Sequence, residues 1–300
     1  MSNTEKPLVV DAHAHPPRKG SPGIDERPYT PPHTQQEVED FLQQDLGEIL
    51  SQMDLLGIDM KVMMAFPPDL DATFHYGETN PDTNVRTLSS HEWIARACAL
   101  YPKRFVGCAC LNPLDETAPN ALQKLVIEDG FKMVKIHQAH HNFMVNDPRA
   151  YPFYRTCIEL DVPVAFHTGF SPVRHIDRLI PTIPLLLDEL AWDLPELRIV
   201  MCHTGGNWYQ DGVVVAMRNK NIWVDLAGLN GIDELMVWPK VNPKELIARI
   251  VEMLGSHRVF YGTDNMDAAF NLEYMQDVAL YPEDLHMVMG QSVVNFLKLE

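Results

Sequence analysis

Four histidines and one aspartate stand where strand-like segments end: His13 and His15 in VVDAHAH, His167 in PVAFHTG, His203 in RIVMCHTGG and Asp264 in RVFYGTDN. Imidazoles and a carboxylate are the donors that hold a divalent ion in catalytic sites, where one position stays open for water or substrate. Side chains near the carboxyl ends of parallel strands converge on one mouth, so residues far apart in the chain can build a single site. His13 and His15 form a His-x-His pair, and a period of two places Asp11, His13 and His15 on one strand face, opposite Val10, Ala12 and Ala14. Asp11 is then either an outer partner of the ligands or a buried structural carboxylate. A chain with 13 histidines yields close spacings by chance, so the weight lies on four of them falling at strand ends, with an aspartate at the last.

The elements that would position these residues are legible as alternating apolar runs and amphipathic stretches, the pattern of repeated βα units. Strands are expected at residues 8–15, 61–66, 104–111, 131–137, 162–167, 198–203, 221–226 and 258–263. Helices are expected at 38–56, 90–101, 118–128, 150–160, 183–191, 212–218 and 243–254, with helical pattern again over 269–298. Eight such units predict a (β/α)8 TIM barrel, one domain over residues 1–300, in preference to an open doubly wound sheet. The proline-rich stretch 16–32 can be neither helix nor central strand and reads as a long first βα loop over the mouth. A second long loop, 67–88, carries His75 and is expected to form another wall or lid.

Composition narrows the function class. With 46% hydrophobic residues in 300, the chain can bury a large core. A net charge of −17 disfavours nucleic acid or an anionic membrane surface as a partner. Five cysteines without a Cys-x-x-Cys pair read as reduced core thiols. No apolar run approaches the roughly 20 residues of a membrane span, and the start MSNTEKP lacks the apolar core of a signal peptide, so a cytoplasmic protein is expected. Gly205 and Gly206 match neither a phosphate loop nor a dinucleotide fingerprint, so no nucleotide cofactor is expected.

In GFKMVKIH, alternation turns Lys135 into the barrel interior, where an ammonium needs a partner. His137, His140 and His141 after the fourth strand, and Arg174 and His175 after the fifth, enrich the mouth in positive or protonatable groups and suit a polar or anionic small molecule. Each is also an ordinary loop residue. Trp208 and Tyr209 either stack on a flat substrate or pack against the next helix.

DAHAH, GFKMVKIH, VPVAFHTG, CHTGG, VFYGTDN and the closing SVVNFLKL together resemble, in order and over nearly the whole length, the amidohydrolase superfamily, in the branch of the aminocarboxymuconate semialdehyde decarboxylase relatives. The resemblance implies that His13, His15 and His167 ligate a divalent metal, usually zinc, with manganese as the alternative. Asp264 becomes a further ligand and proton acceptor. His203 becomes a ligand to a second metal or a group polarising the substrate. In binuclear members a carboxylated lysine at the fourth strand bridges two ions; in decarboxylase-like members such a lysine is commonly absent. Lys135 therefore either carries that bridge or pairs as a simple cation with substrate or with Asp264.

The expected function is a metal-dependent hydrolase that uses metal-activated water on a C–N, ester or lactone bond of a small carbonyl compound. Asp264, His203 and Lys135 are its catalytic candidates, and His203 is expected to hydrogen-bond the developing oxyanion. The alternative is a non-oxidative decarboxylase of an unsaturated or aromatic acid with the same ligands. The substrate is expected to be a polar or anionic small molecule, and homo-oligomer formation is left open.

Overall fold

The computed structural model describes residues 7–19, 29–170, 178–231 and 241–299. Eight strands run in parallel, each beside its successor in sequence: β1 Val10–Ala14, β2 Met60–Met64, β3 Phe105–Cys110, β4 Met133–Ile136, β5 Val164–Phe166, β6 Ile199–Met201, β7 Ile222–Asp225 and β8 Val259–Phe260. Just past β8, Ala12 N donates to Tyr261 O at 2.9 Å and Asp264 N to His13 O at 2.7 Å, which ties the eighth strand's exit back to the first and rounds the sheet into a barrel. The expected fold stands.

The expected helices form at the outer layer, Gln35–Leu56 and Tyr209–Arg218 starting three residues early and Pro243–Leu254 at its expected bounds. Gln35–Leu56 starts where Thr34 accepts from Glu37 N and stops at Gly57 in the left-handed region, as Ser/Thr caps and a terminal glycine dictate. Inside the barrel, Val10, Ala12, Val62, Met64, Val106, Cys108, Met133, Ala165, Val200 and Phe260 pack together, and Val293, Phe296 and Leu297 of the C-terminal helix join them. Most strands are shorter than expected at both ends, and at the mouth their final residues leave the ladder. His15, His167, His203 and Asp264 all lie beyond the last paired residue of their strands.

The first strand departs from simple alternation. Val10 and Asp11 pair with Met60 and Lys61, but Ala14 pairs with Met63, so β1 carries a bulge of one residue. The bulge resets the phase. Asp11 therefore does not share a face with His13 and His15, as plain alternation predicts. It turns with Lys61 away from the interior side chains and accepts from Lys61 Nζ at 3.1 Å, Thr263 N at 2.9 Å, Thr263 Oγ1 at 2.7 Å and His13 N at 3.2 Å. Asp11 is thus a buried structural carboxylate that ties β1 to β2 and to the exit of β8.

Among the described residues all five cysteines are free thiols, and no helix is long and apolar enough to cross a membrane. The loop after β2 packs on the loop after β1: Tyr76 Oη donates to Pro17 O at 3.0 Å, Asn80 Nδ2 donates to Pro32 O at 2.9 Å, and the His75 and Tyr29 rings stack at 3.7 Å. The two loops make one wall.

Removing one member of a buried ion pair strands the other, at a cost of about 3–5 kcal/mol. Asp11→Ala is expected to lower unfolding stability by that amount, and adding Lys61→Met is expected to recover much of it. Urea unfolding of the single and double variants checks both.

Candidate metal and proton-transfer site

The structure brings His13, His15, His167, His203 and Asp264 to one mouth. Donor atoms of His13, His15 and Asp264 lie within 4.8 Å of one another, and so do those of His13, Cys202 and Asp225 just beneath. The His203 ring stands 4.9 Å from that of His13 and 4.9 Å from that of His167, closing the circle. His137 stacks on His167 at 4.3 Å and so lines the same wall.

Each of three imidazoles is held by one nitrogen. His13 Nδ1 meets Asp225 Oδ2 at 2.9 Å, His15 Nδ1 meets Met64 O at 2.9 Å, and His203 Nδ1 meets Ala227 O at 2.8 Å. A carbonyl oxygen only accepts, so His15 and His203 carry their proton on Nδ1 and present a lone pair at Nε2. This fixes tautomer and ring direction together. With its proton on Nδ1, a neutral His203 presents Nε2 as an acceptor or ligand atom.

His15 Nε2 faces Asp264 Oδ1 at 3.3 Å, two acceptors with no proton between them, and His13 Nε2 stands 3.9 Å from the same oxygen. His167 Nε2 is buried and meets no hydrogen-bond partner among the described residues. Facing lone pairs and an orphaned buried nitrogen are what a divalent ion would satisfy.

Electrostatics agree. Burial, then the charges of Arg18 and His13, lower His15 to about 4 against the pull of Asp264. Burial, then His13, lowers His203 to about 4. Burial also drives His167 well below the usual imidazole range, with His137 and His203 adding to it. Neutral rings are the ligating form. His13 differs: burial and Lys135 press it down, but Asp225 and Cys202 outweigh them and push it up to about 10. A cation at its Nε2 would take that proton's place. Burial alone would raise Asp264; His15, His13 and Arg18 instead hold it well below the usual carboxylate range.

Backbone geometry at the mouth is unusual. His203, Thr204, Gly205 and Gly206 form a run of positive φ, as do Asp264 and Asn265. Non-glycine residues persist there only when their surroundings over-determine them. Asp225 Oδ1 accepts from His203 N at 2.8 Å and Ala227 N at 3.1 Å, while Thr204 Oγ1 donates to Asp225 O at 2.6 Å. A side chain at Gly206 would meet Gly169 Cα at 2.9 Å, which explains the paired glycines of CHTGG. Asn265 brackets the other turn, accepting from His15 N at 2.8 Å and donating to His15 O at 2.9 Å.

Lys135 faces the interior as expected, but one step below the ring. It pairs in register with Ala165, two residues before His167, and its Nζ donates to Cys202 Sγ at 2.8 Å. Burial opposes its charge, yet Cys202 and Asp225 hold its pKa above the ordinary value. Tyr209 packs in the core, as the packing alternative held. Arg174 and His175 lie outside the described residues.

Two site residues escape sequence reasoning. Asp225 ends β7, and a carboxylate closing a strand candidate was the available signal. Arg18, from the proline-rich loop, donates through Nη2 to Asp264 Oδ1 at 2.8 Å. No periodicity marks it.

Residues 10–290 match the sequence model of the amidohydrolase family. A 2-keto-4-carboxy-3-hexenedioate hydratase from Sphingobium sp. is 33% identical over 134 residues, a match spanning only 38% of this chain and 38% of that relative. The fold is similar to that of an uncharacterized TIM-barrel protein of Bordetella bronchiseptica, with a TM-score of 0.69, 17% identity and 97% and 98% of the two chains covered. It is also similar to 5-carboxyvanillate decarboxylase of Novosphingobium aromaticivorans in complex with manganese and 4-hydroxy-3-methoxy-5-nitrobenzoic acid, with a TM-score of 0.64, 16% identity and 97% and 96% covered.

Outer partners of metal-bound histidines typically support 10–100-fold of metal affinity. Asp225→Ala is expected to weaken divalent-ion binding by about that factor, measured by competition with a chromogenic chelator. Asp225→Asn, which keeps one oxygen acceptor, is expected to fall between it and wild type.

Proposed function

We propose, from the premise that this chain belongs to the amidohydrolase family and is a metal-dependent enzyme of it, that it adds water to a small polar or anionic carbonyl compound. Hydrolysis of a C–N, ester or lactone bond is the leading form, and hydration of a conjugated double bond is the same chemistry on another acceptor. The observation that carries this reading is the pair of first-strand imidazoles whose Nδ1 atoms are held elsewhere while their Nε2 atoms stand 3.9 and 3.3 Å from Asp264 Oδ1.

His13, His15 and His167 would hold one divalent ion, zinc or manganese, with Asp264 as a further ligand. Such an ion supplies Lewis acidity to water or to a substrate oxygen. Asp264 accepts the proton of the attacking water and returns it to the leaving group or product carbon. His203, fixed by Ala227 O, offers Nε2 as a second proton acceptor beside it. Lys135, engaged with Cys202 and near Asp225, supports a cation beneath the site in place of a carbamate bridge, and hence a single ion. The partial relative's name, a hydratase, supports water addition.

Decarboxylation is the second reading, favoured by the whole-length likeness to a decarboxylase fold. It exchanges carbon dioxide for a proton at carbon and so needs an acid at the reacting face. That acid would have to be Asp264 in its protonated form, since neutral His203 carries no proton at Nε2.

Metal-reconstituted protein should turn over members of a panel of lactones, amides, unsaturated keto acids and aromatic acids with incorporation of labelled water oxygen. Release of carbon dioxide as the only turnover overturns the reading. In the same assay Asp264→Asn is expected to keep most of its metal, measured by elemental analysis, and to lose at least about 100-fold in rate, since general acid–base groups contribute 10²–10⁴-fold. Retention of metal together with more than about a tenth of the rate would reduce Asp264 to a ligand and make His203 the proton acceptor.

A further inference from the structure

The geometry points to Arg18 as a carboxylate clamp, so that the compound taken at this site bears a carboxylate beside its reacting carbonyl; this deepens the water-addition reading and rests on it. Arg18 follows His15 by three residues, and both of its neighbours are anchored. Pro17 O accepts from Tyr76 Oη at 3.0 Å. Lys19 Nζ meets the buried Asp45 carboxylate at 2.8 Å and lies over the Phe41 and Tyr76 rings at 5.5 and 5.7 Å. Held between these anchors, the Arg18 side chain is only 22% exposed and reaches Asp264.

A guanidinium presents Nε–H and one Nη2–H side by side, a fork that matches the two oxygens of one carboxylate. Half of that fork is used. Nη2 donates to Asp264 Oδ1 at 2.8 Å, whereas Nε is buried and meets no acceptor among the described residues. A buried donor without an acceptor is unfavourable unless a ligand completes it. The oxygen that Arg18 touches is also the one facing His15 Nε2 at 3.3 Å and His13 Nε2 at 3.9 Å. An ion held by those imidazoles and Asp264 would compete with Arg18 for that carboxylate and leave the guanidinium free to take another anion. Lys135 sits beneath, so a divalent ion together with Lys135 and Arg18 would outweigh the Asp225 and Asp264 carboxylates among the described residues. A substrate carboxylate supplies both the charge and the two oxygens.

The test is binding to metal-loaded protein by calorimetry, with glutarate and its uncharged analogue glutaramide as probes and metal content measured on every sample. Wild type is expected to prefer glutarate by at least about tenfold. Arg18→Met should lower glutarate affinity by about 10–100-fold, the range for hydrogen bonds to charged groups, and leave glutaramide unchanged. Arg18→Lys should fall between, because an ammonium lacks the fork. Arg18→Met should also hold its metal at least as tightly as wild type, since a competitor for Asp264 is gone. The clamp is overturned if wild type shows no preference for glutarate, if Arg18→Met binds glutarate as wild type does, or if both probes and the metal are lost together. Probe binding requires no turnover, so an enzyme inert on every water-addition substrate would defeat the reading of the reaction without touching this measurement.

Discussion

One buried carboxylate, Asp225, carries the mouth of the barrel. Its Oδ2 sets the direction of the His13 ring, its Oδ1 takes the backbone N–H of His203, and its carbonyl takes the Thr204 hydroxyl. Burial works against its charge, but His13, His203 and Lys135 hold it ionised below the usual carboxylate range. A single group thus stabilises both a ligand candidate and the left-handed turn that presents a second imidazole. Charged hydrogen bonds in a low-dielectric interior are strong when satisfied and costly when broken, so this arrangement is rigid.

A second constraint works from the first strand. The bulge between Asp11 and Ala14 lets two imidazoles of one strand face the interior while the carboxylate just before them faces the other way. Asp11 then joins Lys61 and Thr263, and the exits of β1 and β8 are locked where His13, His15 and Asp264 emerge. Strand closure and site geometry are the same set of contacts, which is why ligand candidates from opposite ends of the chain meet within a few ångströms.

The chemistry follows from which nitrogen of each ring is occupied. His15, with Nδ1 committed to Met64 O, turns Nε2 toward Asp264, and His203, with Nδ1 committed to Ala227 O, presents its Nε2 at the same mouth. The loops after β1 and β2 then wall the site with Phe66 stacked on His15 at 5.2 Å and with Arg18 on the catalytic candidate Asp264. A polar floor, an apolar wall and a loop-borne cation suit a small molecule with one reactive carbonyl better than an extended polymer.

Much of this protein was legible in its sequence. Apolar runs alternating with helical periods specify the barrel, because each element must bury one face, and strand ends in a barrel share one mouth. His13, His15, His167, His203 and Asp264 were therefore readable as one site, and Lys135 as an inward cation. Tertiary structure alone decided the rest. Whether Asp11 faces the ligands depends on a bulge that no period reveals, since one added residue reverses every later side chain. Which nitrogen His203 presents to the mouth depends on Ala227 O, a backbone oxygen from the loop after β7. Asp225 and Arg18 acquire their roles only from what they touch across the barrel. Local pattern encodes which face a residue is on; which atom it meets is settled by contacts distant in sequence, where hydrogen-bond geometry and burial select one partner from many.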